Sequence, residues 1–433
     1  MSNTKTNLPA TQQYLPIGNG ANLTDWSQLG VEDNLPSGKH YFKTQLDEAP
    51  IVRFVNQLIL DAVHQGASDI HLEPFEHQSR IRIRYDGILQ ETYTPPGKVT
   101  RRLGSRLKIM AEMDIAEHRL PQDGRIKWQS NETCVDLRIS SCPTIHGEKL
   151  VIRILDQSRQ QLQTEDLGMN AEQFHLFEHA LKQPYGMILV TGPTGSGKTV
   201  SLYAGLQRLN TEARNISTAE DPVEITIEGI NQVNINTKIG LGFAEALRTF
   251  LRQDPDVIMV GEIRDLETAQ IAIKAAQTGH LVLSTLHTND APACIARLQQ
   301  MGVESYQIAS ALQLVIAQRL IRLLCPACKQ ATRYPLHHLL ASGFKTSECE
   351  KLQLFRAKSC DLCLNGYKGR TGIYQVMRIT PELRNCIIQA SDSVNLTNLL
   401  LQNQIPDLRQ AGLEKARQGL TSLEEVERIT REY

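Results

Sequence analysis

Residues Gly192-Pro193-Thr194-Gly195-Ser196-Gly197-Lys198-Thr199 decide how this chain is read. They fit the pattern G-x-x-x-x-G-K-[ST], and their flanks supply the context that gives the pattern meaning. The apolar run Met187-Ile188-Leu189-Val190 ahead of them reads as a buried strand. The segment from Val200 to Ala204, free of Gly and Pro, reads as a helix. Glycines let such a loop curl with its amides turned toward phosphate oxygens, and the positive end of the following helix adds to the attraction. Lys198 is placed to reach the β- and γ-phosphates, and the Thr199 hydroxyl to ligate Mg2+. Gly192 through Thr199 are therefore expected to bind a nucleoside triphosphate.

A length of 433 residues exceeds one compact core and points to two or three domains. The 41% hydrophobic content is enough for ordinary globular cores, and a net charge of -1 gives no global attraction to nucleic acid or an anionic membrane. No segment approaches the roughly 20 apolar residues that span a bilayer, and the polar N-terminus has no signal-peptide core. A soluble, cytoplasmic protein is expected. In that compartment nine cysteines suggest metal ligands or buried thiols in preference to disulfides.

Working outward from the loop, residues 169–324 alternate short apolar runs with helical segments, as in a doubly wound α/β domain. The candidate strands are 187–191, 215–219, 257–260 and 281–284. Residues 1–48, punctuated by Pro and Gly, read as a flexible lead-in. Residues 49–156 read as a smaller α+β domain. Its strand Arg80-Ile-Arg-Ile-Arg84 alternates strictly and runs into the hairpin signal Asp86-Gly87. That alternation puts Ile81 and Ile83 on one face and a solvated basic stripe of Arg80, Arg82 and Arg84 on the other. Residues 157–168 read as a linker, 325–366 as a cysteine-bounded insertion, and 367–433 as a helical C-terminal region.

Asp256-Val257-Ile258-Met259-Val260-Gly261-Glu262 reads as a second nucleotide-site strand. Four apolar residues suit a strand buried on both faces, and a carboxylate at its C-terminal end faces the phosphates. Glu262 is the candidate to orient or deprotonate the attacking water. Gly261 stands where a Walker B aspartate would ligate the metal, so Mg2+ needs another carboxylate, and Glu220 and Asp221 are the supply. The competing reading of those two acids is a solvated turn before Pro222. His280 and His287 bracket the strand that starts at Leu281, and one of them is expected to sense the γ-phosphate. Arg248, Arg252 and Arg264 read either as arginine fingers or as partners of Asp254, Asp256 and Asp265.

Cys325-Pro-Ala-Cys328 and Cys360-Asp-Leu-Cys363 form two C-x2-C knuckles, each able to offer two thiolates to one Zn2+. Redox disulfides and idle buried thiols are the competing readings. Four sulfurs leave no open position, so such a site would be structural.

The stretches Asn215 to Glu224, Leu251 to Asp265 and Thr278 to Asn289 resemble the Asp box, Walker B and His box of the GspE/PulE/PilB family of secretion ATPases. The resemblance extends upstream through Ala67 to Pro74 and Leu120 to Arg125. Downstream it takes in Ile316 to Leu320, the four cysteines and Gly369-Arg370. It covers about residues 50–433. It implies a RecA-like ATPase core, a PAS-like N-terminal α+β domain that swings against it, a zinc-knuckle insertion and a homo-hexameric ring. It also implies that Arg119 and Arg125 close onto the nucleotide, and that Lys198, Glu262, Glu220 and His287 form the catalytic set. The expected function is a motor that spends ATP, with Mg2+, on assembling a type IV pilus or pseudopilus through an inner-membrane platform protein. Membrane association would be peripheral, through partners only, and type II secretion is the alternative. A nucleic-acid motor is disfavoured by the near-neutral charge, and a non-hydrolysing scaffold by the intact Lys198, Thr199 and Glu262.

Overall fold

A computed structural model of the chain describes residues 50–130, 134–155, 163–389 and 393–430. The expected lead-in 1–48 and residues 157–162 of the expected linker lie outside these. The described residues fall into two compact units. The first holds those up to Leu155 together with the short Cys360–Leu364 segment, and the second holds the rest.

In the first unit, helices α1 (Pro50–His64) and α2 (Gly97–Met110) accompany six strands. These are β1 (Asp69–Pro74), β2 (Ser79–Tyr85), β3 (Ile88–Tyr93), β4 (Gln122–Gln129), β5 (Cys134–Thr144) and β6 (Gly147–Leu155). They form one antiparallel sheet in the order β3-β2-β1-β6-β5-β4. Asp86 and Gly87 both take positive φ (46° and 84°), the turn geometry that continues the right-handed twist from β2 into β3. Ile70, Leu72, Ile81 and Ile83 point to a core shared with Leu58 and Ile59 of α1 and Leu103 and Leu107 of α2.

The opposite face departs from the expected solvated stripe. Glu73, whose side chain is 6% exposed, accepts from Arg80 and Arg82 at 2.8 Å each and lies 3.2 Å from Lys149. Arg84 and Arg153 each stand 3.3 Å from Asp69. Burial alone would push the Glu73 carboxyl up; the bonds from Arg82, Arg80 and Lys149 outweigh it and hold the pKa at about 2. The alternation was legible, but the acids on the neighbouring strand turn the stripe into an ion-pair lattice.

The second unit opens with a 3-10 turn, Thr164–Leu167, and α3 (Ala171–Leu181). Part of the expected linker is therefore ordered. Leu167 is buried, and its carbonyl accepts from Tyr374 Oη at 2.7 Å. Then come β7 (Gly186–Thr191), α4 (Lys198–Leu209), β8 (Ile216–Glu220), β9 (Asn231–Asn234), α5 (Phe243–Phe250), β10 (Val257–Val260), α6 (Leu266–Gln277) and β11 (Leu281–Leu286). Next are α7 (Ala291–Gln300), α8 (Ser305–Ala311), β12 (Leu312–Leu324), β13 (Gln330–Thr332), α9 (Leu336–Ser342), α10 (Thr346–Cys349), β14 (Leu354–Arg356) and β15 (Tyr367–Arg378). The chain closes with α11 (Pro381–Ile388), α12 (Ser393–Gln402), α13 (Leu408–Arg417) and α14 (Leu423–Thr430). The stretch 367–433, read as helical, thus begins with a strand.

Seven strands make the central sheet, β15-β12-β7-β11-β10-β8-β9, parallel except for β15. Successive side chains alternate between two cores. Met187 and Leu189 of β7, like Ile258 and Val260 of β10, enter the core shared with α5 to α8, α11 and α12. Ile188 and Val190, like Val257 and Met259, enter the core shared with α3 and α4. Burial on both faces explains the uninterrupted apolar runs. At the far end of β12, Leu324 pairs with Tyr367 of β15, so residues 325–366 leave and rejoin the sheet at neighbouring positions.

Candidate active site

The glycine-rich loop leaves β7 at Thr191, whose hydroxyl donates to Leu286 O (3.0 Å) and lies 2.6 Å from Thr288 Oγ1. The end of β7 is thereby tied to the end of β11 beside it. Gly192 has φ of 148°, and a Cβ there would strike the Gln318 carbonyl oxygen and the Ser196 side chain, so only glycine serves. Helix α4 follows directly, behind Gly197 in the left-handed region. The Lys198 ammonium lies over the loop, donating to Gly192 O (2.9 Å) and Pro193 O (3.1 Å). Burial draws its pKa down, and the field of Glu262 acts the other way.

Ser196 is 3% exposed, and its Oγ has no hydrogen-bond partner among the described residues. An unsatisfied buried hydroxyl in such a loop suits a ligand rich in acceptor oxygens. Together with the Lys198 ammonium, it makes the loop fit a nucleotide's phosphates.

Glu262 follows β10 after Gly261. The turn that carries it is clamped from both neighbouring strands. Gly261 N donates to Ala219 O (2.8 Å), Ile263 N to Thr285 O (3.0 Å), and Thr285 Oγ1 to Gly261 O (2.7 Å). The Glu262 side chain is 18% exposed, with Arg264 bonded to Oε1 and His287 Nε2 3.4 Å from Oε2. His287 sits past the C-terminal end of β11, whereas His280 precedes β11 and meets Ala275 O at 3.1 Å. The parallel sheet puts only His287 at the loop's end of the strands.

The two acids after β8 are placed differently from each other. Glu220 is buried, accepting from Thr218 Oγ1 (2.6 Å), Gln232 Nε2 (3.1 Å) and the Tyr203 hydroxyl of α4. Burial, then the Glu220 carboxylate, raises the Tyr203 phenol. Asp221 is partly exposed and lies 3.8 Å from Arg264. The arginines find partners other than those expected. Arg248 pairs with Glu245 (3.5 Å) and Glu267, and Arg252 donates to Arg248 O (2.8 Å). Asp256 accepts from Asn215 N, and Asp265 caps α6.

Arg119 and Arg125 both belong to the first unit. The Arg119 side chain is 87% exposed, bonded to Glu117 at 2.8 Å, and Arg125 is exposed on the edge strand β4 opposite Arg138.

Two residues without a role in the sequence reading support the loop. Gln318 of β12 accepts from Ser201 Oγ of α4 (2.8 Å) inside the core, and its backbone carbonyl fixes the approach of Gly192. Tyr203 links α4 to Glu220. The quoted run Ile316 to Leu320 contains the only sequence signal for Gln318, a polar residue inside an apolar strand.

The four knuckle cysteines converge. The sulfurs of Cys325, Cys328, Cys360 and Cys363 all lie within 4.8 Å of one another, and those of Cys360 and Cys363 are 3.5 Å apart. No disulfide joins cysteines among the described residues. Cys325 N donates to Gly366 O (2.9 Å), which continues the β12–β15 ladder into both knuckles. Four sulfurs around Zn2+ at about 2.3 Å stand about 3.8 Å apart, so this donor set is compatible with zinc.

A loop of this geometry on a mostly parallel sheet, with an acid at the end of a neighbouring strand, defines a RecA-like P-loop ATPase. Residues 44–428 match the family of type II/IV secretion system proteins, and the chain belongs to that family. The type IV pilus assembly ATPase PilB of Acinetobacter baylyi is 55% identical over 389 residues, 89% of this chain and 67% of that protein. The type II secretion system ATPase E of Vibrio cholerae is 47% identical over 414 residues, 95% of this chain and 81% of that protein. Among solved structures, the pilus retraction motor PilT with bound ADP aligns with a TM-score of 0.58 at 25% identity, over 87% of this chain and 97% of that one. The chain is an ATPase. No helix among the described residues is long and apolar enough to cross a membrane.

Proposed function

We propose that this chain hydrolyses ATP to drive assembly of a type IV pilus or pseudopilus. On this reading it works as a homo-hexamer in the cytoplasm, recruited to the inner membrane by a platform protein. The observation that carries the chemistry is Glu262 at the end of β10, clamped beside the loop and held on its two oxygens by Arg264 and His287. Gly192 through Thr199 hold the phosphates. Lys198 turns from its two loop carbonyls to the β- and γ-oxygens. Glu262 orients the water and takes its proton, and His287 steadies the free edge of that carboxylate. Thr199 and Asp221 are the groups that would hold Mg2+, with Glu220 acting behind them through Tyr203 and Thr218. Bound there, Mg2+ would neutralise charge on the leaving phosphate. Arg119 and Arg125 supply positive charge when the first unit closes on a nucleotide. Cys325, Cys328, Cys360 and Cys363 hold one structural Zn2+.

Identity of 55% to a pilus assembly ATPase against 47% to a type II secretion ATPase favours the pilus reading. Disrupting the gene in its host should abolish surface filaments and leave secretion of folded enzymes intact. Loss of secretion with filaments retained would move the chain to type II secretion.

A further inference from the structure

Away from the glycine-rich loop, a cavity of about 310 Å³ opens in the second unit between the start of α3, β15 and α13. Its volume is at the lower end of what small-molecule sites occupy. Its walls are mixed. Ile373, Leu413 and Ala411 give apolar surface, while Lys345, Lys415 and Arg417 outnumber the one acid, Glu414.

The cations are not equivalent. Arg417 is spent on Glu348 (2.9 Å) and Glu414 (3.1 Å). Lys415 is half-buried. Among the described residues its three N–H donors meet one acceptor, the Gly168 carbonyl at 2.7 Å, and none of their carboxylates lies within ion-pairing distance. A half-buried ammonium with one neutral acceptor is under-compensated; burial lowers its pKa, and the field of the neighbouring Glu414 carboxylate acts the other way. An anion entering the cavity would give it the missing partner, while apolar walls would take the rest of the ligand.

We propose that this cavity is a second ligand site, separate from the nucleotide loop, for a small amphipathic anion: a carboxylate or phosphate carried on a compact apolar body. Lys415 grips the acid group with the donors that Gly168 leaves over, and Ile373, Leu413 and Ala411 cover the body. The ligand sits against Gly168, between the opening 3-10 turn and α3, beside the Leu167 carbonyl that Tyr374 holds. Head group and body together, and neither alone, set the affinity.

The test uses the full-length protein saturated with ADP, so that the glycine-rich loop takes no other phosphate. Octanoate, hexyl phosphate and acetate are titrated by calorimetry. Saturable binding of octanoate or hexyl phosphate is expected, and the tighter of the two identifies the head group. Acetate should bind at least about tenfold more weakly. Lys415→Gln should weaken binding by about tenfold or more. Ala411→Phe fills the cavity while leaving Lys415 in place, and should abolish binding even if the lysine variant proves unstable. Absence of saturable binding, equal affinity for acetate, or unchanged affinity in a folded Ala411→Phe protein would each overturn the site.

Discussion

His287 Nε2 stands 3.4 Å from Glu262 Oε2, across the ends of the adjacent strands β11 and β10. Arg264 holds the other oxygen of the same carboxylate. The two grips are unequal, since the histidine contact is long and the arginine one close. On the proposed mechanism the attacking water would compete for Oε2, the oxygen the imidazole holds loosely.

Glu262→Gln should lower kcat by at least about 100-fold while leaving ATP affinity near wild type. His287→Ala should reduce kcat less, again without weakening binding. Phosphate release, paired with equilibrium binding of a fluorescent ATP analogue, separates the two effects. A glutamine variant that still turns over at the normal rate removes Glu262 from the role of base.

Lys198→Ala should damage both binding and turnover. Gln318→Leu acts further back. It leaves the buried Ser201 hydroxyl without its acceptor and should destabilise the second unit by about 1–3 kcal/mol. Urea unfolding reads that loss, and the nucleotide dissociation constant should rise with it. Unaltered stability would mean that Ser201 finds another partner.

The Glu73 lattice makes acid sensitivity calculable in sign. Its carboxyl is held at about 2 against an ordinary value of 4.5, so its contribution is in full above about 4.5 and is lost as pH falls toward about 2. That displacement corresponds to roughly 3 kcal/mol at about 1.4 kcal/mol per pH unit. Glu73→Gln should therefore be less stable than wild type near neutral pH, and the gap should narrow below about pH 4.5. A gap that stays constant down to about pH 3 would show that packing, not charge, sets the difference.

Metal analysis should return about one zinc per chain, released by a strong chelator with a fall in the thermal midpoint. Serine at any one of Cys325, Cys328, Cys360 or Cys363 should reproduce both effects. A metal-free protein of full stability and activity would leave these residues as ordinary thiols.

If a ring and closure by the first unit are needed, Arg125→Ala should cut turnover by about 100-fold or more with folding intact. Specific activity should also climb with protein concentration as rings form. Monomers, verified by light scattering, that hydrolyse ATP at the full rate would defeat this expectation.

Local features of the site were legible because they are contiguous. A strand, eight loop residues and a helix sit side by side in the chain, and Glu262 ends an unbroken apolar run. What the sequence hides is non-local. Strand β12 carries Gln318, Arg319 and Arg322, which break the apolar run that marks a buried strand. The start of β15, with Lys368, Gly369 and Gly372, looks like a turn until it pairs with β12. Glu220 looked available to a metal because Tyr203, Thr218 and Gln232 converge on it only after folding. Glu73 was findable. It faces Arg80 across a short hairpin, so counting alternate positions back from the arginines reaches it.

Residues 325–366 depart from Leu324 and return at its ladder partner Tyr367. An ancestor could have gained or discarded such a detour without rethreading any strand, since a short turn would reconnect the two ends. Packing argues the other way. Leu339, Phe344 and Leu354 of the detour share a core with Leu413 and Ala416 of α13 and with Leu423 and Val426 of α14. A lineage that dropped it would expose those helices and would have to resurface them in the same evolutionary step. The detour is thus optional in topology but entrenched by its neighbours, and homologues that lack it should carry polar residues at the positions of Leu413 and Val426.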